Sequence, residues 1–186
     1  MMQQHGPWQI TDTQKQYENP WIRVDEHAVI HPDGKAGIFG IVSILPGVSV
    51  LAIDEEHDVY LCREFRFAKG YESLEAVCGG INQGETYLQA AQRELLEELG
   101  IEAADWTDLG EVNSLTTVVN SPQRIFLAQQ LSFHKAQPEG SEQITMVILP
   151  FREVLQSVIE GTITHDLTCI LVLKTYLKTL YLNTAL

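Results

Sequence analysis

Several things are scarce in this chain of 186 residues, and each scarcity removes a class of protein. Cysteine occurs three times, at Cys62, Cys78 and Cys169, an odd number without metal-ligand spacing. A disulfide framework is therefore not expected, and a reducing, cytoplasmic setting is the simplest reading. Basic residues number 12 against 25 acidic ones, a net charge of −13 that opposes binding to a phosphate backbone. The opening MMQQHGPW has no basic segment leading into an apolar core, so no secretory signal is expected. The one long apolar run, Leu167 to Leu182, is interrupted by Lys174 and Lys178 and reads as a core or interface helix, not a membrane span. No internal repeat or low-complexity tract is present.

What is there is ordinary globular composition, 45% hydrophobic and 20% charged, in a length that suits one well-cored domain with a small appended lobe. Residues 1–18 are polar and read as a partly ordered lead-in. From Trp21 the texture is strand-like. WIRVDEHAVI and GIFGIVSILP flank the turn Pro32-Asp33-Gly34-Lys35, and VSVLAI and VYLCREF flank the acidic turn 54–58. Thr86 to Leu99 contains no glycine or proline, carries Leu88, Ala91, Leu95 and Leu99 at helical spacing, and is followed by Gly100 as a stop. Further strands are predicted at 106–114, 124–131 and 143–149, and helices at 151–159 and from Asp166. Strands, helix, strands, helices in that order suggest an α+β fold, an α/β/α sandwich.

The chemistry lies in GGINQGETYLQAAQRELLEELGI, residues 79–101. On a helix, Glu94, Glu97 and Glu98 fall within one turn on one stripe beside the apolar face, with Ala90 leaving space above them. Three like charges so placed destabilise a helix and raise one another's pKa unless a cation neutralises them. Hard cations such as Mg²⁺ or Mn²⁺ take oxygen ligands and leave positions for water and phosphate. That supply of positive charge would matter here, because so acidic a surface repels a diphosphate. Glu85, eight residues before Arg93, is placed to pair with it and fasten the loop to the helix. The competing reading is a solvated helix face, for which ELLEEL is common. The fixed positions decide between them: Gly79, Glu85, Arg93, Glu94, Leu95, Glu97, Glu98, Gly100 and Ile101 fit Gly-x5-Glu-x7-Arg-Glu-U-x-Glu-Glu-x-Gly-U, where U is a bulky aliphatic. Chance agreement is on the order of 10⁻⁹ to 10⁻¹⁰ per starting position from average residue usage.

This segment is identified as a Nudix box, and the chain resembles the Nudix hydrolase superfamily along its length. The resemblance implies a mixed-sheet α/β/α fold and hydrolysis of a nucleoside diphosphate linked to another moiety. It implies metal binding by Glu94, Glu97 and Glu98, with the backbone carbonyl of Cys78 as an added ligand, and bracing of the motif by Arg93, Glu85, Gly79 and Gly100. REFRF at 63–67 and LEAVCGG at 74–80 are similar to the ADP-ribose pyrophosphatase and nucleotide-sugar hydrolase branch. By that likeness Arg66, and with it Arg63, would grip phosphate oxygens, although both could instead cap a strand edge. Trp21 and Phe39 fall where relatives sandwich the base, against the alternative of core packing. Residues 1–45 would form an N-terminal β lobe in a homodimer interface and 46–186 the hydrolase domain. The family's acidic residue after the box corresponds to Glu142, with Glu139 as the other possibility and a solvated loop as the bland one. Cys78 as a nucleophile is set aside in favour of a small buried thiol, and His27 and His31 in favour of surface or packing roles over zinc.

One departure bears on the substrate. ADP-ribose-specific members usually carry a proline about sixteen residues past the box, where this chain has Thr117, and many have a Ser-Pro-Gly where it has Ser121-Pro122-Gln123. ADP-ribose, GDP-mannose, other nucleotide sugars and dinucleoside polyphosphates therefore remain open, as does a non-catalytic domain that senses ADP-ribose.

Overall fold

The structure is a computed structural model that describes residues 2–137 and 143–183, with side chains described to residue 180. The chain divides into two compact units, Met1–Pro46 with Asn113–Pro122, and Gly47–Val112 with Gln123–Leu186.

The first unit is a five-stranded sheet of β1 (Gln3–His5), β2 (Trp8–Glu18), β3 (Ile22–Ile30), β4 (Ala36–Ile44) and β10 (Val119–Asn120), in that order across the sheet. The polar lead-in is thus mostly strand. Gln9↔Ile30 through Glu18↔Arg23 pair antiparallel, with register shifts between Ile10 and Asp12 and between Lys15 and Tyr17. Backbone pairing needs no apolar side chain, and TDTQKQYE therefore forms a strand that hydrophobic alternation could not reveal. β10 joins parallel to β4, Val119↔Val42 and Asn120↔Ser43.

In the second unit the central strand is β5 (Gly47–Ile53), buried at every residue. Its C-terminal end pairs with β6 (Asp58–Arg66), its N-terminal part with β8 (Val77–Gly80), and its other edge runs parallel to β11 (Pro122–Phe133). β9 (Ile101–Asn113) and β12 (Thr145–Pro150) complete the path β12-β6-β5-β11-β9, and β7 (Tyr71–Glu75) pairs with β6. Strand alternation then divides the core in two. Val48, Val50 and Ala52 pack with α1 (Tyr87–Leu99), whereas Leu51 and Ile53 pack with α2 (Phe151–Ile159) and α3 (Asp166–Asn183). This unit is an α/β/α sandwich, as expected.

α1 begins at a capping box. Thr86 accepts the Gln89 N–H while the Gln89 side chain takes the Thr86 N–H at 2.9 Å. It ends at Gly100, φ 65°, whose N–H returns to the Leu95 and Leu96 carbonyls. A Cβ at Gly100 would overlap the His134 carbonyl oxygen, so glycine serves both the turn and the close approach of the strand-end segment. The buried stripe of α1 is Ala90, Ala91, Leu95, Glu98 and Leu99. This corrects two details of the sequence reading. Leu88 lies in the first turn on the surface, lining a shallow hollow with Trp106 and Phe126, and Ala90 is a core residue rather than a spacer.

Candidate active site

The stripe of α1 turned toward β6 and β8 carries the acidic cluster, and its burial is graded. Glu98 is 8% exposed, the Glu94 side chain 13% and the Glu97 side chain 37%. A solvated face would show all three, whereas here two of the carboxylates are withdrawn from water at a cost that partners must offset.

Those partners are specific. Arg93 donates from Nε to Glu85 at 2.8 Å and from Nη2 to Glu85 at 3.1 Å and to the Gly80 carbonyl at 2.9 Å. Its Nη1 spans Glu94 at 2.8 Å and Glu97 at 3.0 Å. Glu85 also accepts the Asn82 N–H at 2.9 Å, which closes the loop leading into the helix. Hydrogen bonds from Arg93, then from Asn82, hold the Glu85 carboxyl down at about 2, and the same carboxylates push the Arg93 guanidinium up. Glu98 takes a different donor, the Cys62 thiol of β6, with Sγ 3.1 Å from Oε2. Burial first, and the neighbouring Glu98 second, push that thiol far up, so it stays protonated and donates.

Gly79 completes the geometry. A Cβ there would overlap the carboxyl carbon of Glu94, so any other residue would have to push that carboxylate off its bond to Arg93. The donor set is three hard carboxylates on one turn, in a cradle that a single methyl group would fill, and it suits a hard divalent cation. Among the described residues no three His, Cys, Asp or Glu side chains already surround a common point. Part of the reason is visible in Arg93, whose guanidinium lies between Glu94 and Glu97 and supplies positive charge there.

Comparison with known proteins decides the family. The profile described as the NUDIX domain matches residues 44–159, more than half of the chain, and includes this whole constellation.

The chain belongs to the Nudix family.

A second profile, the nucleoside diphosphate sugar hydrolase N-terminal domain, matches residues 8–42 of this Nudix hydrolase. The chain is 28% identical over 132 residues to an ADP-ribose pyrophosphatase of Bacillus subtilis (strain 168), covering 71% of this chain and 68% of that one. It is 32% identical over 114 residues to the ADP compounds hydrolase NudE of Escherichia coli (strain K12), covering 59% and 60%. It is 25% identical over 131 residues to an ADP-ribose pyrophosphatase of Mycobacterium tuberculosis (strain ATCC 25618 / H37Rv), covering 68% and 63%. A solved structure titled as an ADP compounds hydrolase matches with a TM-score of 0.79 over 95% of both chains at 19% identity, a likeness of fold.

The remaining residues singled out from the sequence belong to both units. Cys78 turns its thiol to Ser49 Oγ at 3.0 Å and to the Ala76 carbonyl at 3.3 Å, and burial pushes it up to about 12. Such a thiol is a poor nucleophile at neutral pH. Arg66 is clasped by two carboxylates, with Nε and Nη2 on Glu75 at 3.1 and 2.7 Å and Nη1 on Glu64 at 2.7 Å. Arg63 is exposed and makes no ion pair among the described residues. In the first unit Trp21 is 70% exposed, and Phe39 meets Trp8 edge-on at 5.8 Å. The His31 ring lies against Trp8, centroids 4.7 Å apart at a 50° tilt, and His27 Nδ1 lies 2.8 Å from Thr13 Oγ1. Glu139 and Glu142 lie outside the described residues. Cys62, an ordinary apolar strand position, and the reach of Arg93 to its own neighbour Glu94 carry no signal in the sequence.

Proposed function

We propose that this Nudix hydrolase cleaves the pyrophosphate bond of ADP-ribose or a related nucleoside diphosphate sugar, releasing a nucleoside monophosphate and a sugar phosphate. The observation that carries the reading is the burial of Glu98 and Glu94 on a turn braced by Arg93 and opened by Gly79. The N-terminal profile and the names of the relatives favour a nucleoside diphosphate sugar as the substrate class.

Glu94, Glu97 and Glu98 would hold divalent metal, Mg²⁺ or Mn²⁺, with the Cys78 carbonyl as a further ligand. When bound, such a cation neutralises diphosphate charge and lowers the pKa of water. The chain's own residues do the rest. Arg93 keeps Glu94 and Glu97 on one side of the helix, and the Cys62 thiol directs one oxygen of Glu98. Arg66, assisted by Arg63, grips phosphate oxygens, because a guanidinium can present two parallel donors. Glu142 serves as the base or an extra ligand. In support, the chain enters that segment at Gln137, whose N–H bonds the Glu97 carbonyl at 2.9 Å.

Trp21 and Phe39 stack on the base, and the protein acts as a homodimer joined through its first unit. Exposed Tyr17, Trp21 and Ile38 support that assembly. A cytoplasmic location accords with three free thiols. Among the described residues no helix is long and apolar enough to cross a membrane.

The test is a panel of ADP-ribose, GDP-mannose, other nucleotide sugars and dinucleoside polyphosphates with Mg²⁺ and Mn²⁺, scored for released monophosphate. The dinucleoside compounds belong in it because one relative is named for ADP compounds in general. Metal-dependent release from a nucleotide sugar is the expected outcome. Saturable ADP-ribose binding without turnover would mean a sensor instead.

A further inference from the structure

A second polar cluster, away from the acidic turn, joins Arg66 to the start of α3. Glu75 is only 4% exposed, and its Oε2 accepts both bonds from Arg66. The next residue, Ala76, donates its N–H to Thr168 Oγ1 at 2.8 Å, across the junction between β7 and α3. Thr168 is fully buried, and its oxygen also lies 2.8 Å from His165 Nδ1. A threonine hydroxyl has a single proton to give. The Ala76 N–H fills one of its two acceptor positions, so the contact with Nδ1 is made either by that proton, with hydrogen on Nε2 of a neutral ring, or by an Nδ1–H given to the second lone pair. The same Nδ1 lies 3.6 Å from Glu75 Oε2, just beyond hydrogen-bond reach. Burial holds His165 below its ordinary 6.5, against the pull of Glu75 and Asp166, and Arg66 adds to the lowering.

We propose that His165 is a positioning residue for Arg66. Neutral with hydrogen on Nε2, it orients the Thr168 hydroxyl that clamps the Ala76 amide, and it leaves Glu75 Oε2 to the guanidinium. Protonated on Nδ1, it can no longer accept the Thr168 hydroxyl proton, becomes a donor, and draws Glu75 Oε2 away from Arg66. The charged groups facing it are Glu75 from β7, Arg66 from β6 and Asp166 beside it, whose Oδ1 is 3.8 Å from Nε2. Glu64 stands behind Arg66, and the Cys78 thiol lies near Glu75 and Arg66. The inference rests on reading Arg66 as a phosphate ligand. A displaced guanidinium weakens substrate binding more than the chemical step, because it touches the diphosphate and not the acidic turn.

The experiment measures KM and kcat from pH 5 to pH 8 for whichever panel substrate is hydrolysed, in the wild type and in His165→Ala, His165→Asn, Glu75→Gln and Arg66→Ala. His165→Ala is expected to raise KM about three- to tenfold at pH 7.5 with kcat within about twofold. His165→Asn restores KM, since its amide oxygen takes the Thr168 hydroxyl as Nδ1 does. The wild-type KM rises as pH falls below 6.5, and His165→Asn removes that rise. An unchanged KM in His165→Ala, alongside a raised KM in Arg66→Ala and Glu75→Gln, overturns the role of His165 alone. An unchanged KM in Arg66→Ala overturns the phosphate reading of Arg66 and takes this inference with it. If His165→Ala does not fold, the wild-type pH profile and His165→Asn still decide, and a KM flat across that range refutes the proposal.

Discussion

The two units use the same β geometry for opposite ends. In β5 all seven residues are buried, whereas nine of the eleven residues of β2 are exposed. The second unit withdraws even Glu75, Glu98 and Thr168 from water. Among the described residues, the one buried apolar side chain of the first unit is Val29. One unit is therefore specified by packing, where a methylene too many or too few is felt. The other is specified by its backbone ladder, whose bonds each contribute about 0.5–1.5 kcal/mol net and tolerate almost any side chain. The carboxylates withdrawn from water differ accordingly: in the second unit Glu94 and Glu98 lie together on one helical turn, whereas in the first Asp25 is paired singly with Arg23.

The sharpest way to break that contrast is Glu98→Gln. If the buried acid exists for chemistry, kcat falls by about 10³-fold or more while the fold survives, seen as an unchanged circular dichroism spectrum and an equal or higher Tm. Retention of most of the turnover would leave its burial without a purpose. Next in size is Gly100→Ala, where the left-handed turn and the His134 carbonyl both oppose a methyl group. Urea denaturation should register a loss of about 2–3 kcal/mol. An effect below about 0.5 kcal/mol would mean that the helix end is not packed as described.

In the open unit the same class of change should be mild. Trp21→Ala is expected to shift unfolding by less than about 0.5 kcal/mol, because an exposed ring has little packing to lose. Its effect should fall on KM or on the monomer–dimer balance, read by sedimentation in the analytical ultracentrifuge. A large stability loss would make the two units more alike than their burial suggests. The smallest expected effect is on pH. His165 has a native pKa below its unfolded 6.5, so the unfolded chain binds more protons near that pH. Its contribution to stability is present above 6.5 and is lost as pH falls toward the lower native value. A plot of Tm against pH should bend downward there, and less so in His165→Asn.

The box was legible because its residues recur at helical intervals and because glycine and charge are rare enough to make the spacing improbable by chance. What helical spacing could not show was depth. Glu98 reads as a boundary position, yet the neighbouring strand carries small Cys62 and lets the carboxylate sink. Arg93 was paired with Glu85 correctly, but its bond to Glu94 breaks the expectation that adjacent helical residues do not face each other. A long, forked side chain reaches where a Cβ vector does not point. β1 and β2 were missed because their pattern is polar on both faces, and Arg66 could be recognised as a cation but not as one already clasped by Glu64 and Glu75. His165 had no readable signal, since its meaning depends on a strand some ninety residues earlier, at Ala76 and Glu75.

The parallel pairing of Val119 and Asn120 with β4 has a practical outcome for anyone cutting the gene. The polypeptide passes between the units three times, after Pro46, after Val112 and after Pro122. Excising the N-terminal segment would strip β10 of its neighbour and leave a ten-residue detour with nothing to pair against, while a protease nick after Pro46 would free no fragment without also melting that short ladder. Chimaeras with other sheets must therefore graft the detour along with the leading strands.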